Sequence, residues 1–110
     1  MSADACLAFY GLRFEVEPDE IEGLEARSDY RMVAAKKAGL KHFWANFASP
    51  GERYLLFVGA QLAVLAPEEE SEVAIPSADL QALMESARAK LQITGLPGDP
   101  SLYFQWIPDA

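Results

Sequence analysis

The chain has 110 residues, with 9 basic side chains against 17 acidic ones and a formal charge of -8. That length fits a single domain spanning 1–110, and an apolar share of 51% argues against a disordered chain. The acidic balance makes the chain a poor binder of phosphate backbones and of anionic bilayers, so neither nucleic acid nor a membrane is expected as partner.

The first strand is predicted at Leu7–Val16. Leu12, Phe14 and Val16 alternate with Arg13, Glu15 and Glu17, the period of a half-buried strand. Leu7 and Phe9 fall on the opposite parity, and one extra residue near Tyr10-Gly11 would repair the pattern, so a bulge is expected there. Gly59 is placed to do the same in the third strand. Cys6 opens the first strand. As the lone cysteine it excludes an intrachain disulfide, and with His42 as the lone histidine it excludes every Cys/His zinc pattern. A buried inert thiol suits that position; a nucleophile–base pair with His42 requires the fold to bring the two together.

Pro18-Asp-Glu-Ile21 opens a helical region with acids at its positive end. Ile21, Leu24, Met32 and Ala35 form an apolar stripe that Gly23 and Ser28-Asp29 weaken. Either one bent helix or two segments is expected, the second capped by Ser28 or Asp29 and ending at Lys37. After Gly39-Leu40 comes an aromatic strand, His42-Phe-Trp-Ala-Asn-Phe47. A third strand follows at Leu55–Leu65, then an acidic loop at Glu68, Glu69, Glu70 and Glu72. Ser77 is expected to cap a helix whose apolar face is Leu80, Leu83, Met84, Ala87 and Leu91, with a left-handed stop at Gly95. Pro97-Gly-Asp-Pro100 is a turn, and Ser101–Trp106 is the fourth strand.

Two stretches repeat. Phe9-Tyr-Gly-Leu-Arg-Phe-Glu-Val16 aligns with Phe57-Val-Gly-Ala-Gln-Leu-Ala-Val64, and Lys37-Ala-Gly-Leu40 with Ile93-Thr-Gly-Leu96. Each half, about 6–49 and 53–108, reads strand, helix, Gly-Leu stop, strand. The pattern predicts an α+β fold, a ferredoxin-like βαββαβ two-layer sandwich with a four-stranded antiparallel sheet and a pseudo-twofold internal repeat. Its two most continuous apolar segments, the first and third strands, should be central.

Strand parity then assigns two faces. Leu12, Phe14, Val16, Phe43, Ala45, Phe47, Val58, Leu62, Val64, Leu102, Phe104 and Trp106 are expected on the core side. Arg13, Glu15, His42, Trp44, Asn46, Gln61, Tyr103 and Gln105 are expected on an uncovered side. Of these, Arg13, His42, Trp44, Asn46, Gln61, Tyr103 and Gln105 form a candidate binding face of aromatics beside amides. The run Glu68, Glu69, Glu70 and Glu72 is a candidate steering patch for a basic partner, against the plainer reading of a solvated surface with helix termini charged to suit their dipoles.

Catalytic patterns are sparse. His42 titrates near neutrality but lacks a recognisable nucleophile. Glu15 and Glu17 lie two residues apart, about 7 Å by strand rise, without a cleft motif to make them a glycosidase pair. There is no GxGxxG, GxxxxGK[ST], HExxH or GxSxG, so no cofactor, metal or catalytic residue is expected. No apolar run reaches the ~20 residues of a membrane span, Met1–Ala5 lacks a basic leader, and the lone cysteine suits a reducing compartment, so the cytoplasm is expected. Two functions follow. One is a small acidic interaction protein, such as an inhibitor or immunity-type protein, binding a basic protein partner through the aromatic–amide face; a homodimer built on that face is a further form. The other is a dimeric small-molecule binder or cofactor-poor enzyme with a pocket on that face.

Overall fold

The computed structural model describes residues 5–47, 53–67 and 70–107. In chain order these form β1 (Ala5–Val16), a 3-10 turn (Pro18–Glu20), α1 (Ile21–Glu25), α2 (Tyr30–Ala38), β2 (Lys41–Asn46), β3 (Tyr54–Leu65), α3 (Ser77–Thr94) and β4 (Ser101–Ile107). The strands build one open antiparallel sheet in the order β2-β3-β1-β4, with three helices. The fold is α+β. β1 and β3 occupy the centre and are the longest strands, 12 residues each.

Both central strands are apolar on both parities because both of their faces are buried. On the helix side, Leu12, Val16, Leu56 and Val58 pack with Leu24, Met32, Ala35 and Leu91. On the other side, Leu7, Phe9, Leu55 and Phe57 form a second core, flanked by Phe43, Phe47, Tyr103 and Ile107. Phe9 and Phe57 are 0% exposed there. Their rings sit 5.4 Å apart, with Phe47 and Tyr103 edge-on to Phe57 at 5.9 and 5.7 Å. Offset and edge-to-face packing at these distances adds to the area burial of each ring. Leu7 and Phe9 thus need no bulge in β1. The register breaks where Ala8–Phe9 meets Ala63–Gln61, so the extra residue, Leu62, belongs to β3. Beyond it Val64 pairs with Leu7, which sets Val64 on the second face rather than the helix face.

The helical region is segmented, as the weak middle of its stripe implies. α1 ends in a turn where Arg27 takes a left-handed φ of 59°. Asp29 then caps α2 by accepting from the Arg31 backbone N–H at 2.9 Å. α2 ends at Gly39 and α3 at Gly95, both left-handed at φ 78° and 72°. Leu40 and Leu96, which follow them, both pack on the helix-side core. Ser77 is the first residue of α3 rather than its cap; Pro76 holds the cap position and no side-chain cap bond forms. α3 packs on α2, β1 and β3. It does not shield β4.

Candidate functional site

The seven residues expected on one face divide between two. Arg13 pairs with Phe57 and Gln61 with Phe9, and Tyr103 packs on the second core, so these lie on the side away from the helices. Gln105, opposite Leu7, shares that side. His42, Trp44 and Asn46 lie opposite Val58, Leu56 and Tyr54, and Trp44 packs on the helix-side core. The reading of β2 is therefore inverted. Phe43 and Phe47 pack on the second core, and Ala45, in step with them, faces the same way. His-Phe-Trp-Ala-Asn-Phe carries aromatics on both parities, so alternation cannot choose the buried side.

Arg13, Tyr103 and Gln105 do come together. The Arg13 guanidinium lies 4.8 Å above the Tyr103 ring, and its Nη1 donates to Gln105 Oε1 at 3.2 Å. The clamp ties β1 to β4 on the side of the sheet away from the helices. Gln61 is exposed on the far side of Phe9. Asn46 closes the β2–β3 connection, its Oδ1 accepting from the Arg53 N–H at 3.0 Å. Glu15 accepts from Arg53 Nε at 3.2 Å in an exposed pair that contributes little. Glu17 lies beyond β1 in a reciprocal cap with Glu20, so it is not a strand neighbour of Glu15. Glu70 and Glu72 are exposed; Glu68 and Glu69 lie outside the described residues.

His42 lies in a shallow groove of about 550 Å³ with Leu24, Glu25, Arg27, Met32 and Trp44. Burial first, and the Arg27 charge second, hold its imidazole below the ordinary value of 6.5. Its Nδ1 is buried and makes no hydrogen bond. Arg13 is on the opposite face, so the two cannot line one pocket. Cys6 is no closer to a partnership with His42. His42 stands level with Leu12 through Val58, and Cys6 is six residues up β1, about 20 Å along the strand.

Among the described residues the most buried charge is one unremarked in the sequence. Arg31 is 4% exposed. It grips Asp29 with two side-chain hydrogen bonds of 3.0 and 2.9 Å, donates to Glu20 at 2.9 Å, and stacks over Phe14. Asp29 is at the start of α2, Glu20 in the turn after β1 and Phe14 in β1, so the cluster locks α2 to the end of β1 and its turn. Its signal was the Asp29-x-Arg31 spacing at a helix start, where a capping carboxylate faces the first turn.

The surface that stands out is β4. Ser-Leu-Tyr-Phe-Gln-Trp-Ile has no charged residue. Leu102, Phe104 and Trp106 lie opposite Tyr10, Ala8 and Cys6, on the helix side, where they were expected as core. They are instead 40%, 69% and 62% exposed, because α3 lies over β1 and β3 and leaves this edge uncovered. Trp106 also walls an apolar groove of about 500 Å³ with Cys6, Leu65, Ala66 and Pro67. These are large apolar side chains contiguous on an edge strand. Among the described residues, no helix is long and apolar enough to cross a membrane, and no group of three or more His, Cys, Asp or Glu is placed to hold a metal ion. Comparisons with family models, curated proteins and solved structures find no match to this chain.

Proposed function

We propose that this is a small acidic interaction protein on a ferredoxin-like, pseudo-twofold scaffold, and that β4 is its recognition strand. Support for the scaffold comes from the central place of β1 and β3 and from Gly11 opposite Gly59, the two residues the repeat alignment equates. Support for the function comes from one observation: Leu102, Phe104 and Trp106 form an uncharged, uncovered ridge on an edge strand. Aromatic side chains of this kind are the usual energetic anchors of an interface. The Arg13–Tyr103–Gln105 clamp ties β4 to β1 from behind, so the strand that carries the ridge is held in place before docking.

In its inhibitor or immunity-type form, the protein meets a basic partner. The exposed acids, Glu70 and Glu72 among them, raise the encounter rate, and the ridge sets residence time. The test is affinity capture from native lysate with three baits. The wild type and a Glu70→Gln/Glu72→Gln variant should retain one stoichiometric protein, the latter associating more slowly at low salt. A Phe104→Ser/Trp106→Ser bait should lose it. Capture indifferent to Phe104 and Trp106 would remove β4 from the function.

A further inference from the structure

We infer that the occupant of β4 is a second copy of this chain, joined edge to edge so that two four-stranded sheets become one of eight strands. The inference rests on the reading of β4 as the recognition strand and names what pairs with it. Among the described residues β4 pairs with β1 alone, so its outer edge carries unpaired backbone donors and acceptors. Natural edges are blunted by lysine, proline, bulges or charge. β2, at the opposite edge, begins with Lys41. β4 has none of these devices over its seven residues.

The sequence of β4 is complementary to itself under a twofold axis. An antiparallel pairing that overlaps all of Ser101–Ile107 puts Phe104 opposite its own copy and Leu102 opposite Trp106. All three then meet on the helix side of the joined sheet. On the other side Tyr103 meets Gln105, so the two clamps adjoin. Leu102, Phe104 and Trp106 together expose on the order of 700 Å² over two copies, and their cross-strand contacts draw on that area. The paired edges of the two strand backbones add to that area. Charge points the same way. Two copies of a chain with a charge of -8 meet best along the strip where neither carries any.

The experiment is sedimentation equilibrium on the full chain. The wild type should be a dimer whose association tightens as salt screens the like-charged copies. Phe104→Glu/Trp106→Glu should be monomeric with an unchanged far-UV spectrum, since both side chains are exposed. In a Cys6→Ser background, mild oxidation should convert Phe104→Cys to a covalent dimer, because Cα atoms facing each other across such a pair are about 4.5–5.5 Å apart, within disulfide reach. Leu102→Cys, opposite Trp106, should not cross-link to itself. A monomeric wild type, or a dimer that survives both glutamates, overturns the inference. Loss of lysate capture by Phe104→Ser/Trp106→Ser from a monomeric wild type would leave the proposed function standing while this inference fell. A β4-dependent dimer whose capture of another protein ignores those substitutions would do the reverse.

Discussion

Gly11 and Gly59 stand opposite each other in the β1–β3 ladder, with φ of 155° and 156°. A Cβ on Gly11 would collide with the Val58 carbonyl oxygen, and one on Gly59 with the Tyr10 carbonyl oxygen. Neither obstacle is a flexible side chain that can swing away. Gly11→Ala and Gly59→Ala should therefore each cost more than about 2 kcal/mol, far beyond the ordinary gain in helix or strand propensity from losing a glycine. Urea unfolding reads this as a lower midpoint at constant slope. A midpoint equal to wild type in either variant would mean that the two strands do not approach as closely as described.

That contact also marks what the sequence could and could not convey. The glycines were legible as special positions, but a bulge was the natural explanation because a strand was assumed to have one buried face. Leu7 and Phe9 broke the alternation only because a second aromatic core exists, and no local pattern announces the far side of a sheet. α3 and its Gly95 stop were legible from 3.6-residue spacing, which needs no tertiary information. Trp44 was not, since β2 carries aromatics on both parities and only the helix-side core against which it packs decides its direction. Phe104 and Trp106 were assigned the correct side and the wrong burial. Strand parity gives orientation; coverage depends on how far a helix reaches across the sheet.

Arg31 supplies a second prediction. Its guanidinium and the Asp29 carboxylate are 5% and 6% exposed and bonded to each other. Arg31→Met leaves the Asp29 carboxylate buried without its guanidinium and should cost about 3–5 kcal/mol, and Asp29→Ala less, because Arg31 keeps Glu20. The hydrogen bond from Arg31 holds the Asp29 carboxyl below its ordinary value of 3.8. A depressed carboxyl binds fewer protons folded than unfolded. Its stabilisation is complete above that ordinary value and is lost as pH falls through the folded one. Acid unfolding should show this loss in the wild type, and Asp29→Asn should flatten the curve below pH 3.8. An unaltered acid limb in that variant would assign the effect elsewhere.

His42 gives the third, at milder pH. Desolvation, then the Arg27 charge, depress its folded pKa below 6.5. The unfolded chain takes up the proton first, so stability is full above 6.5 and declines as pH falls through the folded value. The single histidine makes its proton resonances unambiguous in NMR. The titration midpoint should lie below 6.5, and Arg27→Gln should move it upward. His42→Gln should remove the decline in thermal midpoint between neutral and mildly acidic buffer. A midpoint at or above the free-imidazole value would show the ring to be solvated.

Phe57 and Phe104 test the division between core and surface with one residue type. Phe57 is fully buried, with Phe9, Phe47 and Tyr103 around its ring, so Phe57→Ala loses its transfer energy and leaves a cavity, about 3–5 kcal/mol. Phe104 is 69% exposed, so Phe104→Ala in dilute monomer should change stability by less than about 0.5 kcal/mol. The inequality should narrow as protein concentration rises, because a partner copy that buries Phe104 stabilises the fold by mass action, and the variant forgoes that increment. Unfolding curves for both variants across a wide concentration range therefore separate two kinds of apolar residue. Phe57 serves the fold at every concentration. Phe104 serves it only when a second chain is present, and a cost at Phe104 independent of concentration would instead mean that its own chain already covers it.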